Sequence, residues 1–318
     1  MKRKLGKVVE EVGAVRGRLP EGDWQIAASH AELRVHSLEA FIGTPAGEEL
    51  HRHVVVSAIA ALETFHRATL IDIINHSEAY RARAVALIDE KFSLGEALAL
   101  VGEKHFSIGE LIAHAAPFNG VEALVSWMGP LLNQDIKRAL ATAVDPLDRH
   151  SEAGASAPLV EDVEGLFRDL QSAFHLRHVL AHEAVPFIEI SGEEAGSALR
   201  AVKLWMVAIE ANLWATVFKD EPLTQMEMTG KAMSEVSAAR ALLAKAMWRA
   251  RRCASGIDAR LGLRSNHRNW KAAAKEWVGF AYWSRDGSMW PAVGASEYAG
   301  ELEARAKRVD AWADSHEP

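Results

Sequence analysis

Apolar positions recur at spacings of three and four along most of the chain, the period of a helix with one buried face. In HVVVSAIAALETFHRATLIDIINH (53–76), Val54, Ala58, Ala61, Leu62, Phe65, Thr69 and Ile73 make such a stripe. SEAYRARAVALIDEKF follows behind Ser77, whose hydroxyl can cap its first turn. SLGEALALVGE, SIGELIAHAAPF and VEALVSWMGPLLNQDIKRAL predict shorter helices broken by Gly or Pro. Residues 145–161, DPLDRHSEAGASAPLVE, predict a loop. A helix is then predicted from near Asp162 through VEGLFRDLQSAFHLRHVLAHEA until Pro186 stops it. A strand-like turn is expected in PFIEISGEEAG, before a long helix over SALRAVKLWMVAIEANLWATVF. The stretch KDEPLTQ marks a boundary around Glu221–Gln225. Beyond it the pattern predicts helical segments near 226–261 and 266–283, a Gly/Pro loop at SRDGSMWPAVG and a last helix over 296–314. The fold class expected is all-α.

Composition adds a division to that picture. The 318 residues carry a formal net charge of −7. Residues 225–318 hold 15 Lys/Arg and 11 Asp/Glu, a net of +4, whereas 1–224 hold 21 and 32, a net of −11. The densest basic window, 240–275, has ten Lys/Arg against one acid, Asp258. The asymmetry predicts two modules. An acidic N-terminal part disfavours nonspecific nucleic-acid binding, although local patches can still bind it. One cysteine, Cys253, permits no intramolecular disulfide and suits a reducing compartment. The basic start MKRKLGKVVEEVGAV has Glu10 and Glu11 where a signal sequence would be apolar. No run of about 20 apolar residues is read as a membrane span. A cytoplasmic protein with no membrane partner is expected. There is no Gly-rich phosphate loop, CxxC pair or HExxH motif.

Candidate chemistry concentrates in AFHLRHVLAHEAVP, residues 173–186. On a helix His175, His178 and His182 share one face, and Arg177 is offset by about 100° from His178, within reach of a long side chain. Histidine moves protons near neutral pH, and arginine grips phosphate with paired donors. Together they suit phosphodiester cleavage: a base takes the 2′-hydroxyl proton, an acid protonates the leaving 5′-oxygen, and the guanidinium stabilises the phosphorane. No metal or cofactor is needed. Two other readings compete. The histidines can be a solvated polar face, or His178 and His182 can hold zinc with His175 or Glu183 as a third ligand.

RHVLAHE, with Arg177 and His182 separated by four residues and a polar His178 after the arginine, resembles the signature of HEPN-domain proteins. SAIAALETFHRATLIDII resembles that family's early long helix, and the segment from FSLGEALALV to IKRAL resembles the middle of its large bacterial members. The resemblance covers roughly residues 25–219. It implies a helical bundle that dimerises, joining two copies of the motif. It also implies a metal-independent endoribonuclease of the toxin–antitoxin, abortive-infection or CRISPR-linked defence type. Arg177 and His182 would be catalytic and His178 supporting, with Glu63 and Arg67 of LETFHR as auxiliary residues. An ordinary i, i+4 ion pair between Glu63 and Arg67 is the plainer reading. The implied partners are an RNA substrate, a second copy of the chain and an antitoxin or defence-system protein. The alternative is a noncatalytic HEPN scaffold, sensor or immunity partner binding RNA or protein.

The C-terminal part, from TQMEMTGKAMSEVSAARALLAKAMW through GSMWP to RAKRVDAW, is similar to the LprI-like lysozyme-inhibitor domain. That family is usually secreted and disulfide-held; with Cys253 alone its cysteine framework is missing here. The module is therefore expected to be a sensor or binding arm. Its basic window with Trp248 and Trp270 can bind RNA by charge and stacking, or those residues are core and solvated helix faces. Composition equally permits docking on the acidic part. The expected division is an extension over 1–24, an HEPN-like domain over 25–222 and an LprI-like accessory domain over 223–318.

Overall fold

The computed structural model describes residues 13–14, 27–42, 48–87, 107–150, 156–182 and 189–316. The chain divides into two compact units, 1–219 and 220–318. Both are helical, with no strand among the described residues. The predicted helix at SLGEALALVGE lies outside those residues. Of PFIEISGEEAG, residues 186–188 lie outside them too, and the rest forms no strand: 189–191 are irregular and a helix begins at Gly192.

In the first unit the helices are α1 (Ala27–Ile42), α2 (Glu48–His76), α3 (Glu78–Ala86), α4 (Ile108–Ala115), α5 (Val121–Leu132), α6 (Ile136–Ala141), α7 (Val163–His182) and α8 (Gly192–Thr216). α2 is the centre of the bundle: α1, α3, α4, α7 and α8 all pack against it. Val54, Val55, Ala58, Ile59, Leu62, Leu70, Ile73 and Ile74 are fully buried along it. That central place explains a property not expected from the sequence. α2 is long and apolar enough to cross a membrane, yet 61% of its apolar window is buried within the protein. Burial among several helices selects the same residues as lipid does, so length and apolarity alone do not separate the two cases.

Local chemistry sets several ends. Ser77 caps α3 by accepting from the Tyr80 N–H, as expected. α8 begins at Gly192, five residues before the predicted start. Ser191 and Glu194 form a reciprocal capping box there, each side chain accepting from the other's backbone N–H. Residues 145–161 are less irregular than expected, because Pro146–His150 makes a 3₁₀ turn.

The second unit comprises α9 (Gln225–Cys253), α10 (Gly256–Val278), a π turn (Gly279–Trp283) and α11 (Trp290–Asp314). α9 ends eight residues before the predicted limit of 261, since Gly256 takes a left-handed φ of 85° that reverses the chain. α11 starts six residues earlier than predicted, with Pro291 in its first turn, where the missing N–H costs nothing. α9 and α11 run parallel: Ser296 donates to Glu235, and further along each helix Arg249 pairs with Asp310. Their contact has a seven-residue alanine period, Ala232, Ala239 and Ala246 on α9 and Ala292, Ala299, Ala306 and Ala313 on α11. Small residues at that repeat let two helices approach along their length. α10 connects them and packs more lightly, burying only Ala274 and Val278.

Candidate functional site

α7 carries the sequence-predicted motif. Its buried stripe is Leu166, Leu170, Ala173 and Phe174. Arg177 is three and four residues beyond the last two, so it continues that inner stripe. Its guanidinium reaches Glu63 on α2 at 3.6 Å. The histidine face was within reach of this side chain, but the core-facing register carries it to Glu63 instead. His175 and His178 are exposed. The His182 side chain and all of Glu183 lie outside the described residues, so the geometry of the Arg177–His182 pair does too.

Arg177, Glu63 and Arg67 line one cavity of about 540 Å³ together with Ala115, Ala116, Pro117, Phe118 and Asn119. Glu63 and Arg67 thus do meet the motif helix's arginine, one turn apart on α2. The cavity's other wall is the segment after α4, and α4 is held hard against α2. A Cβ on Gly109 would lie 2.9 Å from the Ile71 carbonyl oxygen, so only glycine permits this approach. Asn75 donates to the Ser107 hydroxyl at 3.1 Å across the same contact. Ser107 and the buried Glu110 close a capping box that starts α4. Phe118 is buried beneath the cavity, and the Arg67 guanidinium stands 5.5 Å from its ring centre.

Among the described residues that line it, two guanidiniums face one carboxylate, a net positive charge. Burial holds the Glu63 carboxyl above the usual carboxylate range, against the opposing pull of Arg177 and Arg67. The site can accept an anion on its arginines, and Glu63 is placed to exchange a proton with it. His178 does not line the cavity.

Behind Phe118 is a second feature the sequence pattern did not single out. His66 on α2 is fully buried and accepts a 2.7 Å hydrogen bond from Trp205 Nε1 on α8. Its Nδ1 has no hydrogen-bond partner. Burial lowers its pKa to about 3, so the ring is neutral. Its signal was a histidine at helical spacing from the apolar positions of α2.

A larger cavity, about 940 Å³, lies between α5, α6 and α7, but it brings no histidine or arginine together, and its Lys137 pairs with Glu164 at 2.9 Å. The chemistry therefore favours the smaller cavity. Among the described residues no three His, Cys, Asp or Glu side chains gather in a set able to hold a metal ion. No family model, curated protein or solved structure matches the chain.

Proposed function

We propose that the chain is a metal-independent endoribonuclease of HEPN type, acting in the cytoplasm as a toxin or phage-defence effector at a site completed by a second copy. The observation that carries this reading is the meeting of Arg177 with Glu63 and Arg67 in one net-positive cavity. An RNA phosphate would sit against the guanidiniums. His182 would supply proton transfer, with His178 supporting it from the exposed side of the same helix. The 2′-hydroxyl loses its proton and attacks phosphorus. The P–O5′ bond breaks, and the 5′-oxygen leaves protonated. The products are a 2′,3′-cyclic phosphate and a 5′-hydroxyl.

The test is cleavage of a labelled RNA by purified protein in EDTA, with the end groups identified. Arg177→Ala and His182→Ala are each expected to lose at least a hundredfold in rate, the scale of a lost proton-transfer or charge-stabilising group. Variants that cleave as fast as wild type overturn the proposal. A noncatalytic scaffold is the second reading, and the Glu63–Arg177 ion pair favours it insofar as such pairs also serve only to join helices. Under that reading wild type cleaves nothing, and Arg177→Ala changes stability alone.

A further inference from the structure

The second unit carries ten Lys/Arg in its basic window, and their placement is not that of a scattered solvated surface. On α10, Arg260, Arg264, Arg268, Lys271 and Lys275 fall within roughly 80° of one another around the helix. The two carboxylates of α10, Asp258 and Glu276, lie roughly 120° from the centre of that stripe. None of the five cations makes an ion pair with a described residue. By contrast Arg249 on α9 is committed to Asp310 and Asp314, so acids within this unit are used for structure elsewhere.

Beside the stripe a cavity of about 470 Å³ opens between α9, α10 and α11. Arg240, Arg251 and Lys271 line it, and no carboxylate does. Trp248 and Trp270 line it as well. Trp248 is 60% exposed, an unusual state for an indole that core packing would account for. Arg252 stands over one face of its ring at 4.8 Å. The exposed ring also lines the cavity, where a planar partner could stack on it. His267 stacks on Trp270 with ring centres 5.6 Å apart. Burial, followed by the nearby Arg305, Lys271 and Arg251, holds the His267 pKa below its usual value, so the stack adds aromatic surface rather than charge.

We propose that this face of the second unit binds single-stranded nucleic acid, its phosphates along the α10 stripe and one base stacked in the Trp248–Trp270 cavity. A cationic track beside an exposed aromatic ring is the arrangement such strands use; here that ring is Trp248, while Trp270 is partly buried beneath His267 and Arg305. An anionic lipid surface would use the cations but not a cavity that ends in stacked rings. An acidic peptide would leave the indoles idle. The binding needs no cleavage and stands independently of the nuclease reading.

The test uses the full chain and a fluorescent 2′-O-methyl oligonucleotide, which cannot be cut by 2′-hydroxyl attack. Fluorescence anisotropy is followed over a range of salt. Wild type is expected to bind, and Trp248→Ala to weaken binding on the order of tenfold while Trp248→Phe retains most of it. Arg264→Ala/Arg268→Ala/Lys271→Ala together should make the slope of log K against log salt shallower by about 2. These side chains are exposed, and circular dichroism checks that helicity is unchanged. No binding by wild type at 50 mM salt, on the order of the lowest used for such complexes, overturns the proposal. So do variants that bind as wild type does. Binding to phosphatidylserine vesicles without binding to the oligonucleotide reassigns the face to lipid and also overturns it.

Discussion

Acid should destabilise the first unit through His66, and the size of that effect can be worked out. In the folded chain the ring is fully buried, accepts from Trp205, and has a pKa lowered to about 3. In the unfolded chain it titrates near 6.5. Below that value the unfolded chain takes up a proton that the folded chain refuses. Stability is therefore complete above pH 6.5 and is lost as pH falls toward 3. The linkage relation gives a loss of about 2 kcal/mol between pH 8 and pH 5, and about 3 kcal/mol by pH 4. His66→Phe removes the titration and keeps an aromatic ring. It leaves the Trp205 N–H unpartnered, a pH-independent cost of about 1–3 kcal/mol. Urea unfolding of both proteins, followed by circular dichroism at pH 8, 6.5, 5 and 4, separates the terms. The wild-type curve should descend more steeply, by about 2 kcal/mol from pH 8 to 5. The second unit is the same in both proteins and cancels in the comparison. Parallel curves would refute the neutral buried histidine.

Other consequences are open to measurement. Burial and the neighbouring Glu210 raise the Glu32 pKa to about 7, so the fold loses stability as pH rises from 4.5 to 7. Glu32→Gln should gain on the order of 1 kcal/mol at pH 8, discounted because Glu32 is half-exposed, and gain nothing at pH 4.5 in the same urea assay. Gly109→Ala would place a methyl group 2.9 Å from a backbone oxygen of α2, and a cost of about 1–3 kcal/mol is expected from thermal unfolding.

Much of the helical layout was legible in the chain. The α2 stripe and the Ser77 cap depend on residues within a few turns of each other, whereas the stop expected at Pro186 lies outside the described residues. The ends that were misplaced have local causes too. The Ser191–Glu194 box, the left-handed Gly256 and Pro291 in a first turn each carry a sequence signal weaker than the apolar period around it. The alanine heptads of α9 and α11 were present but easy to miss, because alanine is helix-favouring everywhere and only its repeat marks a contact.

The candidate site divides along the same line. AFHLRHVLAHEAVP identified Arg177 as a residue of interest, and the inner stripe of α7 already implied its direction. Which groups it meets was not legible. Glu63, Arg67 and the segment around Phe118 come from distant parts of the chain, and only the approach of α4 to α2 at Gly109 closes them into one cavity. By itself the sequence determined helices, their apolar faces and the charge asymmetry, because these follow from short-range period and composition. Tertiary structure alone decided that a membrane-like helix is a core, that a histidine within it is neutral, and that Arg177 meets the partly buried carboxylate of Glu63. Those outcomes depend on which surfaces exclude water when the helices pack, and no local window contains that information.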